Sequence, residues 1–281
     1  MSGVIIVSTN YVTAKYGLRG FNPETFSLIW ISAAAFYSLI IILLTGRRRQ
    51  LVLPGNTIKR VILMGLSSGI GMLLTWAGLA RLDPSFAAFL WRFLPLLVIA
   101  LSFIFLGERL SVRDVTPVAI MVLGGLLSAI GRWDNVGIGM LLTLLGCGSV
   151  AIQMILAKTI IKDVPSSTLA FYRVGIGALI VAPWTLFSGK ANFNVPLTYW
   201  GSTLLGALLG PCISMLFFFR SYRYWDLSST SIVMTMEPLF VLPLTYFFLN
   251  AFPNQQELLG GGLILAGAFW LALVHYNGKR N

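Results

Sequence analysis

The chain has 281 residues, of which 57% are hydrophobic and 10% are charged, against about 45–50% and 25% in an ordinary soluble domain. So few polar side chains cannot cover a water-soluble globule, and this excludes a soluble enzyme, a secreted scaffold and a disordered tail. The formal net charge of +11 indicates either a nucleic-acid partner or the topology of a membrane protein.

Ten apolar segments are long enough to cross a bilayer as helices, for which about 20 residues suffice. In chain order they lie at residues 2–18, 26–45, 58–80, 84–106, 115–132, 137–157, 166–188, 197–219, 227–249 and 257–276. The sequences between them are short and carry turn residues, such as Gly20, Gly46 and the Asp83-Pro84 pair. We therefore predict an all-α membrane protein with ten transmembrane helices and no extramembrane domain.

Several single residues of the spans have simple interpretations. The first span begins almost at Met1, so we expect no removable signal peptide and interpret the spans themselves as insertion signals. Lys15 and Lys158 end their helices and are interpreted as interface anchors. Cys147 and Cys212 fall within spans, where we expect small packing residues rather than a disulfide or a metal pair.

The positive charges lie mostly on one side of the predicted spans. With the N-terminus in the cytoplasm, 13 of the 20 Lys and Arg residues lie in cytoplasmic loops or the tail, 5 lie on the opposite side and 2 lie within spans. Because cytoplasmic loops are enriched in Lys and Arg, this distribution predicts that both termini are cytoplasmic. The loops are too short to form a folded basic face, so no nucleic-acid partner is expected.

One shift of 143 residues aligns the two halves of the chain. It superposes identical residues from end to end: Lys15 on Lys158, Thr25 on Thr168, Asp83 on Asp226, Pro95 on Pro238 and Gly124 on Gly267. A constant shift predicts two copies of five helices, at 1–132 and 137–276, followed by a cytoplasmic tail at 277–281. Because five is odd, the second copy enters the membrane from the opposite side, which is the inverted repeat of secondary transporters.

Each half also contains a motif built on proline. These motifs are Pro95-Leu96 followed by Leu106-Gly107-Glu108-Arg109-Leu110 and Gly124-Gly125 in the first half, and Glu237-Pro238 followed by Gly267 in the second. With the ten spans, they resemble the EamA-type repeats of the drug/metabolite transporter superfamily, and the resemblance covers essentially the whole chain.

The resemblance implies a ten-helix transporter of the plasma membrane, which is the inner membrane of a prokaryote. Such proteins are mostly exporters of amino acids and other small metabolites, driven by ion or substrate gradients. The sequence departs from the family pattern at Asn250-Ala251, where Gly-Glu is usual. Trp30 stands where helix two often has an arginine, whereas Arg173 keeps the arginine of helix seven.

Three charged side chains lie within the predicted spans, where an unpaired charge costs several kcal/mol. Glu237 directly precedes Pro238, whose ring loosens the helix and frees a carbonyl one turn earlier. We interpret Glu237 as a proton-coupling or ligand-binding residue, with a purely structural ion pair to Arg92 or Arg173 as the alternative.

Each of the two arginines within the spans also has one functional and one structural interpretation. Arg92 lies three residues before Pro95, and the shift places it at the depth of Glu237, where it either holds a substrate carboxylate or forms a salt bridge. Arg173 lies only about seven residues into its span, and for this residue we favour snorkelling to the cytoplasmic interface over a role in the cavity. Pro95 and Pro238 are interpreted as helix breaks.

Polar and aromatic residues extend the candidate cavity, which we expect to be lined by spans one, four, six and nine. The shift pairs Asn10 with Gln153, and such polar side chains either line a cavity or hold helices together. Trp76 and Trp91 either wall a pocket for an apolar group or lie at the lipid interface.

The function predicted from these residues is secondary transport by alternating access. We expect the protein to export an amino acid or a related carboxylate-bearing metabolite. Glu237 is the candidate residue for proton coupling. Because the single histidine, His275, ends the last span and no aspartate lies within a span, we predict no enzyme, no cofactor and no metal site. The alternatives are a lipid scramblase or scaffold and, after these, an intramembrane enzyme. The expected partners are a small-molecule substrate and the lipid bilayer, and both a monomer and a homodimer fit the sequence.

Overall fold

The computed structural model describes residues 2–46, 48–94, 96–98, 100–101, 112–130, 136–224, 236–250 and 253–278. Within these ranges the chain is helical and contains no strand. Ten helices correspond to the ten predicted spans: α1 (Ser2–Gly17), α2 (Pro23–Leu44), α3 (Ile58–Arg81), α4 (Pro84–Leu90), α5 (Val112–Ala129), α6 (Ile138–Ile160), α7 (Ser166–Phe187), α8 (Leu197–Ala207), α9 (Glu237–Leu249) and α10 (Gln255–Gly278).

Two helices continue beyond a change in their winding. A 3₁₀ turn at Trp91–Phe93 follows α4, and a π-helical segment at Leu208–Ser214 connects α8 to a further α-helical segment at Met215–Tyr224. Where the described residues allow a comparison, the predicted and observed helix ends differ by a few residues. The start of the predicted ninth span, at residues 227–235, lies outside the described residues.

Among the described residues, five helices are long and apolar enough to cross a membrane. They are α2, α3, α6, α7 and the continuous helix Leu197–Ser221, which begins with α8. Large apolar side chains also cover the outside of the bundle, and Phe187 is 89% exposed. In water such a surface would be a liability, whereas lipid tails solvate it. Together with the helix lengths, this surface identifies a multi-pass membrane protein.

Local sequence sets several helix ends. The side chain of Asn22 accepts a hydrogen bond from the Thr25 amide at 2.8 Å, and that of Asp83 accepts one from the Ser85 amide at 2.8 Å. Each of these caps is followed by a proline in the first turn of its helix, where a missing N–H costs nothing. At the other end of α2, Gly46 adopts a positive φ of 67°, which glycine accepts without a steric penalty.

The helices pack in a small number of extensive pairs. α3 lies against α6 and α7, α2 lies against α7, α5 lies against α10, and α1 lies against α8 and α9. The approach of α3 to α7 is close because a Cβ atom on Gly69 would lie only 2.8 Å from the carbonyl oxygen of Gly177. As expected for free packing residues, Cys147 and Cys212 are both buried and unpaired.

Lys15 has a more specific role than that of an interface anchor. Its ammonium group donates hydrogen bonds to the carbonyl oxygens of Leu79 at 2.8 Å, Ala80 at 3.3 Å and Leu82 at 2.6 Å. The last carbonyls of a helix have no partner within the helix and carry the negative end of its dipole. Lys15 therefore fastens the end of α1 to the end of α3.

We expect Gly69→Ala to separate α3 from α7, because the new methyl group meets backbone atoms that cannot rotate away. The expected loss in free energy of unfolding is about 1–3 kcal/mol, measured as a lower Tm of the detergent-solubilised protein. Gly148→Ala is the matched control, since a Cβ at Gly148 has no heavy atom within 4 Å and should leave Tm equal or higher. Equal losses in both variants would contradict the role of the close approach.

We expect Lys15→Met to lower the free energy of unfolding by about 1.5 kcal/mol, because carbonyls at the end of α3 lose a charged donor. The same thermal measurement applies. Lys190→Met is the control, since Lys190 forms an ion pair with Glu24 at 2.9 Å on the surface, and such pairs contribute at most about 1 kcal/mol. A larger loss in the control would refute the assignment.

Candidate functional site

A cavity of about 150 Å³ lies at the centre of the described helices. All seven residues that the sequence singled out as binding or translocation residues line it: Asn10, Trp76, Trp91, Arg92, Gln153, Arg173 and Glu237. The expected walls were spans one, four, six and nine. The structure adds α2, α3, α7 and the continuation of α8, which consists of the π-helical segment and the α-helical segment after it. A cavity of this volume accommodates a molecule about as large as benzene.

The centre of the cavity contains a buried ion pair. Arg92 lies in the 3₁₀ turn after α4, and its Nη2 donates to Oε2 of Glu237 in the first turn of α9. Only 3% of the Arg92 side chain and 5% of the Glu237 side chain are exposed. The Nε of Arg92 also donates to the carbonyl of Ala88 at 3.2 Å, so the guanidinium is held at two of its edges.

Helix α1 also contacts the residues of this ion pair. The Ser8 hydroxyl donates to the carbonyl oxygen of Val4 at 2.8 Å and lies 3.4 Å from the carbonyl oxygen of Glu237. Tyr11, one turn further along α1, lines the cavity and lies close enough to Arg92 and Glu237 to interact with both. Three helices thus converge on one pair of opposite charges.

Arg173 does not snorkel, and the preference for that interpretation is wrong. The residue is 5% exposed, and its Nη2 donates to the carbonyl oxygen of Pro211 at 3.1 Å. Its Nη1 donates to Gln153 Oε1 at 3.4 Å and to Ser68 Oγ at 3.5 Å. Because oxygen atoms inside the bundle accept its hydrogen bonds, the guanidinium has no need to reach the membrane interface.

Oδ1 of Asn10 and Oγ1 of Thr143 are buried and have no hydrogen-bond partner among the described residues. Both residues line the cavity. Buried polar atoms are usually hydrogen-bonded. Asn10 and Thr143 therefore place polar atoms in the wall of the cavity.

The tryptophans form an aromatic wall rather than an interface belt. Trp76 is buried, its indole Nε1 donates to the sulfur of Met72 at 2.7 Å, and its ring lies 4.9 Å from that of Trp30. Trp91 is half-buried and also lines the cavity. This excludes the lipid-interface interpretation for Trp76 and places an apolar surface beside the charged centre.

The two predicted helix breaks have different outcomes. Pro238 lies in the first turn of α9, a position where proline starts a helix readily. Pro95 and residues 105–110 of the first motif lie outside the described residues. The break that the sequence analysis missed is the π-helical segment around Pro211, for which the signal was a Gly-Pro pair inside a predicted span.

Sequence reasoning also missed Tyr11, Ser68 and Thr143, which line the cavity. Tyr11 adjoins Asn10, so the polar character of that part of α1 could have indicated it. Ser68 and Thr143 are small hydroxyl residues in apolar helices, and nothing in their local sequence distinguishes them from packing residues.

We expect Arg92→Met alone to destabilise the protein by about 3–5 kcal/mol, because it leaves the Glu237 carboxylate buried without its partner. The double variant Arg92→Met with Glu237→Leu removes both charges and should recover most of that loss. The thermal stabilities of the wild type, both single variants and the double variant form a double-mutant cycle. Additive losses in that cycle would mean that the two residues do not depend on each other.

Comparison with known proteins agrees with this architecture. The sequence profile of the EamA-like transporter family matches residues 1–130 and again residues 137–273. Uncharacterized transporter YxxF of Bacillus subtilis is 27% identical over 232 residues, which cover 79% of this chain and 73% of that protein. An uncharacterized transporter of Archaeoglobus fulgidus is 25% identical over 194 residues, which cover 68% of each chain.

The fold also resembles that of a protein solved by crystallography. The two structures agree with a TM-score of 0.69, and the match covers 98% of this chain and 96% of the other at 16% sequence identity. At that identity the similarity concerns the arrangement of the helices alone.

Proposed function

The chain belongs to the EamA-like transporter family, and we propose that this transporter exports a small carboxylate-bearing metabolite, such as an amino acid, through the central cavity. The observation that carries the proposal is the central cavity, which is lined by two arginines, one glutamate and an aromatic wall. A guanidinium matches a carboxylate in shape and charge. Export is the direction that the resemblance to EamA-type proteins implies.

Alternating access requires two halves that exchange positions, and we propose the inverted repeats 1–132 and 137–276 for this role, followed by a cytoplasmic tail at 277–281. The packing of the helices supports this arrangement. A shift of 143 residues relates α3 to α8 and α6 to α1, and α3 packs on α6 as α8 packs on α1. The pairs α2–α7 and α5–α10, which the shift maps onto themselves, are also in contact.

Arg173 lies between equivalent positions of the two proposed repeats. Ser68 and Pro211 are 143 residues apart in the sequence, and Arg173 contacts both of them. Because Arg173 and Pro211 belong to the same repeat and Ser68 belongs to the other, a movement of one repeat against the other changes the contact with Ser68 and leaves the contact with Pro211. The position of Arg173 therefore supports a role in coupling the cavity to the exchange of the halves.

We place the protein in the plasma membrane of a prokaryote with both termini in the cytoplasm. The support is the distribution of Lys and Arg, of which 13 of 20 lie on the proposed cytoplasmic side. Glu237 is the proposed proton-coupling residue, since it is the one carboxylate that lines the cavity among the described residues. A lipid scramblase is less well supported, because the charged side chains Arg92, Arg173 and Glu237 are buried inside the bundle.

Counterflow in proteoliposomes tests the proposed function with a panel of amino acids and organic acids. We expect at least one carboxylate-bearing solute to exchange, and Arg92→Ala to reduce its rate at least tenfold, because each lost charged hydrogen bond weakens binding by about 1.5–3 kcal/mol. Arg81→Ala is the matched control, since the guanidinium of Arg81 donates to Ala77 in its own helix, away from the cavity.

A double variant separates loss of transport from loss of folding. Arg92→Ala with Glu237→Ala leaves no buried charge unpaired and should fold, but it still lacks the proposed carboxylate anchor and should remain inactive. Exchange at the wild-type rate by folded Arg92→Ala protein would refute the proposed role of Arg92. Failure of every solute in the panel would refute transport of carboxylate-bearing metabolites.

A further inference from the structure

We propose that the Arg92–Glu237 ion pair makes transport electroneutral: a substrate with a carboxylate and no ammonium group moves together with one proton on Glu237, whereas a zwitterionic substrate moves without one. This rule rests on the proposed function, in which the central cavity is the transport site, and it assigns the coupling stoichiometry to two side chains.

Arg92 and Glu237 form a pair without net charge, and separating the two side chains costs free energy. Both side chains are almost fully buried, and removing the partner of one buried charge is strongly destabilising. Arg92 is also held by the carbonyl of Ala88, so its guanidinium stays in place when Glu237 leaves it. Any solute that takes one member of the pair must therefore compensate the other.

A monoanion compensates only Arg92. Its carboxylate replaces that of Glu237 on the guanidinium, and the displaced Glu237 carboxylate binds one proton from the solution on the side from which the anion entered. The site then contains Arg92 with the substrate anion and a neutral carboxylic acid. After release on the other side, Glu237 returns its proton to water and pairs with Arg92 again, so one anion and one proton have moved and the net charge moved is zero.

A zwitterion compensates both members at once. Its carboxylate pairs with Arg92 while its ammonium group pairs with the Glu237 carboxylate, and no proton is needed. The aromatic wall beside the pair accommodates the rest of the molecule in either case, since Trp76 and Trp91 line the same cavity. The two substrate classes thus differ in proton coupling while they use the same two side chains.

The other titratable groups near Glu237 do not change this balance. Besides Arg92, which lies in the 3₁₀ turn after α4, these groups are Tyr11 of α1 and Cys147 of α6. Both lie close enough to interact with the ion pair. Phenol and thiol groups of this kind are neutral near pH 7. Arg173 lines the same cavity, but its charge is present in the empty and in both loaded states.

Binding measured between pH 6 and pH 8 tests the rule with two probes of the same size, lactate and alanine. Neither probe changes its own charge in this range. For wild-type protein in detergent, quenching of tryptophan fluorescence should give a lactate affinity that increases about tenfold for each unit by which the pH falls, because one proton binds with the anion. The affinity for alanine should be independent of pH.

Transport in proteoliposomes gives the same comparison as a flux. The lumen contains a pH-sensitive dye, and lactate entry should acidify it by one proton for each lactate. The rate of lactate entry should be the same at different imposed membrane potentials. Alanine entry should leave the luminal pH unchanged. Lactate entry without proton movement, or equal proton movement with alanine, would overturn the rule while leaving the proposed transport function intact.

Glu237→Gln provides the decisive variant because glutamine resembles the protonated carboxyl group and cannot release a proton. In this variant lactate affinity should no longer depend on pH, and lactate entry should respond to the membrane potential. Glu24→Gln is the matched control on the surface, where Glu24 pairs with Lys190, and it should retain the wild-type pH dependence. If neither probe binds to folded wild-type protein, the electroneutral rule is refuted for these substrates, and the wider solute panel then decides the proposed function separately.

Discussion

A charge within the hydrocarbon of a bilayer has no water to solvate it. In this protein Arg92 and Glu237 form a buried ion pair, in which each charge compensates the other. The pair joins the 3₁₀ turn after α4 to the first turn of α9, while α1 contacts the same centre through Ser8. Because neither charge is tolerated alone, each holds the other helix in position. In the proposed transport mechanism, the ion pair that joins these helices is also the contact that a charged substrate opens.

The helices depart from regular α geometry where they border the cavity. The chain tightens at Trp91–Phe93 and widens at Leu208–Ser214. A regular helix in lipid uses its backbone groups internally, whereas an irregular one is tolerated where it lines a cavity and other groups satisfy the backbone. The Pro211 carbonyl, which accepts a hydrogen bond from Arg173, is the clearest case, and π-helical segments frequently occur at functional sites.

The sequence predicted the helices well because each span is a local property. Apolar length defined all ten. Asp83-Pro84 marked a helix start that the structure has at the same position, whereas α2 begins at Pro23 instead of at residue 26. The seven candidate residues meet at one cavity because a polar side chain within a long apolar span stands out in any sequence. Ser68 and Thr143 were missed since a small hydroxyl group in a helix has many ordinary packing roles.

By itself the sequence determined that the chain is a multi-pass helical membrane protein, and which few charges its interior has to accommodate. Only the tertiary structure decided how those charges are satisfied. It paired Glu237 with Arg92 rather than with Arg173, and it turned Arg173 toward oxygen atoms of three other helices. The physical reason is that the cost of burying a charge is a property of one residue. Its compensation depends on groups of other helices, 20 to 145 positions away in the sequence, that only packing brings within hydrogen-bond distance.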